Sequence, residues 1–177
     1  MNALANDKVA DYINENFVAT YMKVGTFQII NGQKVGGNVA SYFCLPDGSV
    51  VHAVPGQVDA DKLLTEARWA HDAHTYALTR STIFFTGAVD PAKYRFLIRQ
   101  AHAERFALEK NPDLARNRSR GFIYGALPPY LPKNLSTLAQ AHWYLGTNPL
   151  AKIDTVFPFV WEHILNERLS GLPVAMR

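Results

Sequence analysis

Apolar and polar positions along this chain change period several times, and each change marks an element. Between residues 6 and 16, Val9, Tyr12 and Ile13 recur at i, i+3 and i+4, which predicts a short helix with Asn6 or Asp7 as its cap. Phe17–Val24 (FVATYMKV) then has the β-branched and aromatic content of a strand. Residues 25–37 hold four glycines around the apolar patch Phe27–Ile30, the pattern of an irregular crossover long enough to bring the next strand in parallel. Val39–Leu45 and Ser49–Val54 read as two strands joined by Pro46-Asp47-Gly48, a hairpin turn in which proline presets φ and glycine accepts a positive one. Pro55-Gly56 ends the second of them. Asp59 or Asp61 caps a helix to about Arg80, with Leu63, Leu64, Ala67, Ala70 and Ala77 or Leu78 as its apolar stripe and Trp69 near the edge.

The second half is helical in pattern. Residues 81–89 (STIFFTGAV) have strand composition but lie between two long helices, so a partly buried connection is expected. Asp90-Pro91 starts a helix, cap followed by proline at the first helical position, and Asn111-Pro112 stops it after Lys110. Residues 111–134 form a long loop. Ser136 caps a helix of about 137–145 closed by Gly146, and a last helix is expected over about Thr155–Leu169 with Pro158 in its first turn. The expected division is an α/β domain over 1–80 and a helical extension over 81–177 packed on it.

Helix, strand, crossover, PDG hairpin and long helix, in that order, resemble the second half of a thioredoxin-like domain over roughly residues 5–80. The strand after NENFV, the PDG hairpin and Gly56 before the long helix carry the resemblance. It implies an incomplete or reduced thioredoxin-like sheet of about three strands, including one β-hairpin, with flanking helices. Two departures bear on activity. Redox-active members carry Cys-x-x-Cys at the start of the helix that falls here on residues 1–15, where the helix N-terminus makes the first thiol nucleophilic; this chain has no such pair. The family's cis-proline falls here on Gly37 and Asn38, where a cis bond would cost about 2.5–4 kcal/mol and a trans loop is expected.

Composition narrows the chemistry further. Cys44 is the single cysteine, which excludes an intramolecular disulfide and a cysteine-based metal cluster. Residues 1–90 hold 6 Lys/Arg against 9 Asp/Glu and residues 91–177 hold 12 against 6, so the second half is the basic one. An acidic, polar start and the lack of a long apolar run give a default expectation of a cytoplasmic protein with no membrane span.

Side chains with chemical potential are scattered. Cys44 is a candidate thiol, set against the reading of a small buried hydrophobe. His71 and His74 share a helix face and offer two metal ligands, with His52 or His102 as a third, but the spacing matches no established zinc signature. His142 and His163 read as packing or surface residues. In the long loop, Arg116, Arg118 and Arg120 suit phosphate. Phe122, Tyr124 and Tyr130, in the aromatic and proline segment after them, either recognise a protein partner or pin the loop to the domain.

The expectation is a redox-inactive thioredoxin-like scaffold or protein-interaction domain, with no catalytic residue, metal or cofactor. The alternative is a truncated thiol-disulfide oxidoreductase whose Cys-x-x-Cys lies upstream of Met1. Expected partners are a protein of unknown identity and a second copy through bare sheet edges. Nucleic acid is not expected, for want of a binding motif.

Overall fold

The computed structural model describes residues 3–22, 28–30, 33–35, 38–114, 126–167 and 169. After one 3-10 turn, α1 spans Asp7–Asn16, with the Asn6 side chain accepting the Lys8 N–H as its cap. Strands β1 (Gln28–Ile30) and β2 (Gln33–Val35) pair antiparallel with Gln28 opposite Val35. Strands β3 (Ala40–Cys44) and β4 (Val50–Pro55) form the hairpin, followed by α2 (Ala60–Ser81), α3 (Pro91–Lys110), α4 (Thr137–Thr147) and α5 (Ile153–Phe159), the last running into a π turn over Val160–Ile164. No described helix is long and apolar enough to cross a membrane.

Local chemistry explains the predicted elements that form. Gly48 takes a φ of 80° in the PDG turn, and its N–H donates to the Leu45 carbonyl at 2.9 Å. Asp59, Asp90 and Ser136 each accept from backbone N–H groups two or three residues on, capping α2, α3 and α4.

Strand β4 is the centre of the molecule, with all six residues buried. Phe43 opposes His52 and Cys44 opposes Val50, so Val51 is a β-bulge without an opposite residue. The extra residue shifts the alternation of side chains. Val54 packs with Val9, Leu63, Leu64 and Ala67; Val51 packs with Ala77, Tyr94 and Ile98; Val50 and Ala53 pack with Ala141, Tyr144, Leu145 and Val156. Five helices from two halves of the sequence therefore bury one strand, and the hydrophobic core joins both halves.

Several expectations are corrected. The protein is mixed α/β, but its described strands form two separate two-stranded antiparallel sheets, not one sheet of about three strands. Residues 17–22 of the expected strand Phe17–Val24 pair with no strand among the described residues, and Val18 is fully exposed; β propensity has no effect without a neighbouring strand to pack against. Within the expected irregular crossover, β1 and β2 form their own pair. The connection over 82–89 is exposed instead of partly buried. Gly146 does not close α4 but lies inside it, because α3 approaches closely there. The last helix starts at Ile153, which puts Pro158 in its interior; a hydrogen bond is lost there, and the chain continues as a π turn in which the Leu165 N–H donates to the Val160 carbonyl at 2.9 Å.

Candidate metal centre

Where β4, α2, α3 and α4 converge, the core is polar. His52 of β4, Glu66 of α2, His102 of α3 and His142 of α4 are all buried to within 1% of complete. One nitrogen from each of the three rings lies within 4.8 Å of the other two. Trp69 covers the cluster, with its ring centroid 4.7, 5.1 and 4.9 Å from those of His52, His102 and His142.

Hydrogen bonds assign the protons. The Val51 carbonyl only accepts, so the His102 Nε2 at 2.9 Å carries a hydrogen. The bulge makes this bond available, since Val51 faces no residue of β3. Neutral His102 then offers Nδ1 as an acceptor, and the His142 Nδ1–H, 2.9 Å away, donates to it. His52 donates Nε2–H to Glu66 Oε2 at 3.0 Å. The other carboxylate oxygen, Oε1, holds Arg105 Nη2 at 2.9 Å and Lys62 Nζ at 3.0 Å. Two lone pairs are left over: His52 Nδ1 and His142 Nε2 are buried and have no partner among the described residues.

Electrostatics keep the rings neutral. Burial drives the pKa of His52 down against the pull of Glu66, lowers His102 to about 3 with help from His52, and puts His142 well below its ordinary value. For Glu66, burial pushes upward, but the His52 hydrogen bond together with Lys62 and Arg105 outweighs it and holds the carboxyl at about 2. Neutral imidazoles with bare nitrogens are metal ligands. The far nitrogens of His52 and of His102 are held by one carboxylate and one carbonyl, the kind of hydrogen bond that orients such ligands. Bonds of 2.0–2.1 Å to a tetrahedral ion require ligand nitrogens about 3.3 Å apart, so a three-histidine site forms when His102 Nδ1 and His142 Nδ1 separate slightly from 2.9 Å and the His52 ring adjusts toward them.

The histidines singled out by spacing divide differently. His71 Nδ1 meets the Tyr12 hydroxyl at 3.0 Å and His74 Nδ1 meets the Tyr94 hydroxyl at 2.7 Å, so these two are tied to tyrosines and do not share a ligand. His52 and His102 instead join His142, for which the sequence predicts a packing or surface role. His163 is exposed, its ring packed on Phe159. Cys44 is exposed, which corrects the buried-hydrophobe reading; partial desolvation and then Asp47 raise its pKa, so the thiol is not activated. Tyr130 is 82% exposed. Arg116, Arg118, Arg120, Phe122, Tyr124 and the trans loop expected at Gly37 lie outside the described residues. Helical spacing missed the cluster because its three histidines come from three elements. The available signal was one polar residue at each core position: His52 in VVHAV, Glu66 between Leu63 and Ala70, His102 four residues after Ile98, and His142 beside Ala141.

Comparison of the chain with protein-family models, with curated proteins and with solved structures finds no match in any of the three. The resemblance to thioredoxin-like proteins therefore rests on the sequence pattern alone.

Proposed function

We propose that this protein binds one divalent transition-metal ion of the zinc class through His52, His102 and His142, which ties β4 to α3 and α4. The observation that carries the proposal is the convergence of one nitrogen from each of three buried rings within 4.8 Å, with His52 Nδ1 partnerless and the far nitrogens of His52 and His102 already anchored. Imidazole donors suit zinc, copper, nickel and iron; among the described residues the cluster has no thiolate, and its one carboxylate, Glu66, is engaged by His52, Lys62 and Arg105, which disfavours softer and harder ions. All three rings are buried, and three histidines leave the fourth position of a tetrahedral ion to a water molecule. Binding requires the His142 proton to leave Nδ1 for Nε2, which gives up the His102–His142 hydrogen bond and frees Nδ1 on both rings.

The test uses tag-free protein stripped with a chelator and dialysed against zinc chloride, with metal measured by mass spectrometry. One ion per chain is expected, lost in the double variant His52→Ala, His142→Ala. Cobalt should give the intense visible absorption of a tetrahedral site. No bound metal, or equal binding by the double variant, overturns the proposal.

A second reading concerns the scaffold. We infer that α1, the PDG hairpin and α2 form a redox-inactive thioredoxin-like unit that presents its surface to a protein partner. Support comes from the element order and from the lone, unactivated Cys44. Turnover in an insulin-reduction assay with dithiothreitol would remove it.

A further inference from the structure

Residues 82–90, which join α2 to α3, form a stapled turn. Thr82 and Val89 make a β-bridge, the Ile83 N–H donates to the Ala88 carbonyl at 2.8 Å, and the Asp90 N–H donates to the Ser81 carbonyl at 2.9 Å. The Gly87 N–H closes the turn on the Ile83 carbonyl at 2.8 Å. At its apex Phe84 and Phe85 are 92% and 93% exposed, with their rings in edge contact at 5.4 Å. An ordered turn thus holds two phenylalanines in water, where each forgoes the gain of burial.

The surroundings specify what would receive them. Ile83 and Val89 are exposed beside the apex. The turn is flanked in the chain by Arg80 in the last turn of α2 and by Lys93 and Arg95 at the start of α3, all exposed. Between Tyr76 and Arg99 the chain has four Lys/Arg and one acid, Asp90, whose carboxylate is engaged by the Ala92 and Lys93 N–H groups. The apex is a convex wedge with a cationic collar. We propose that this tip docks on an anionic lipid bilayer, with Phe84 and Phe85 entering the boundary between headgroups and acyl chains while Arg80, Lys93 and Arg95 meet the phosphates. A bilayer accepts a wedge without a preformed pocket, and its charge complements the collar. The proposal is independent of the metal centre, which lies in the core.

The full chain is sedimented with vesicles of phosphatidylcholine alone and with vesicles that also contain phosphatidylglycerol. Binding to the mixed vesicles is expected, weakened by salt. Phe84→Ser with Phe85→Ser should reduce it at least about tenfold while leaving the circular dichroism and melting temperature unchanged. Lys93→Glu with Arg95→Glu should abolish the preference for anionic vesicles. Failure to bind the mixed vesicles overturns the proposal, as does binding that the double serine variant retains. A dimer that forms through the tip in place of vesicle binding, seen by light scattering and abolished by the same variant, overturns it as well.

Discussion

Glu66 and His52 meet inside the core: the Oε2 of the carboxylate accepts the Nε2–H of the ring at 3.0 Å, and both side chains are wholly buried. This contact converts a charged residue on an apolar helix face into the anchor of a histidine cluster. Without Glu66, His52 would have two bare nitrogens in place of one.

Removal of that anchor should be costly. Glu66→Ala breaks a buried ion pair, a class of change that costs about 3–5 kcal/mol. Lys62 and Arg105 can turn toward water, which favours the low end, about 3 kcal/mol. Urea denaturation of wild type and variant measures it, and metal affinity should fall roughly 10–100-fold, the usual effect of losing an outer-shell partner.

Proton positions in the cluster are open to direct observation. In the metal-free protein at neutral pH, nitrogen-proton correlation spectra should show hydrogen on Nε2 of His52 and His102 and on Nδ1 of His142. Zinc should move the His142 proton to Nε2. A charged imidazolium at any of the three positions would contradict the lowered pKa values that burial imposes.

Helix α4 approaches α3 at Gly146. A β-carbon there would lie 2.7 Å from Leu127 Cδ1 and 3.3 Å from His102 Cβ. Leu127 can rotate away, but the His102 β-carbon is fixed to its helix. Gly146→Val should therefore destabilise by about 1–3 kcal/mol, the usual cost of overpacking, despite the better helix propensity of valine. Gly146→Ala should cost less. Thermal melts rank the two, and both should weaken zinc binding by displacing His102.

A clamp outside the core gives a pH dependence with a definite sign. Asp47 of the hairpin turn pairs with Lys152 at 2.7 Å, and that hydrogen bond, followed by those from Ser49, lowers its pKa from 3.8 to about 2. The folded value lies below the unfolded one, so the stabilisation is complete above pH 3.8 and is lost as pH falls through about 2. A carbon-detected titration of the Asp47 carboxyl should show a midpoint near the lower value, moving up in Lys152→Met. Both side chains are solvent-accessible, so high salt should shrink the difference.

Much of the secondary structure is legible in the chain because its signals are local. Asp59, Asp90 and Ser136 stand where the caps form, Pro46-Asp47-Gly48 makes its turn, and Asn111-Pro112 ends α3. Where the outcome depends on a distant neighbour, the local signal misleads. Phe17–Tyr21 has strand composition but no strand beside it, and Gly146 looks like a helix stop until α3 is seen against it.

The sequence by itself determined the caps of α2, α3 and α4, the hairpin and the single cysteine, because capping, turn chemistry and composition act within a few residues. Only the tertiary structure decided that His52, Glu66, His102 and His142 form one site. They lie 14 to 40 residues apart in successive steps along the chain, and a metal centre is a property of distances in space. It also decided that His71 and His74, neighbours in sequence, turn to different tyrosines. The bulge at Val51 links the two levels: one extra residue in a strand frees a carbonyl, and that carbonyl holds His102 in place.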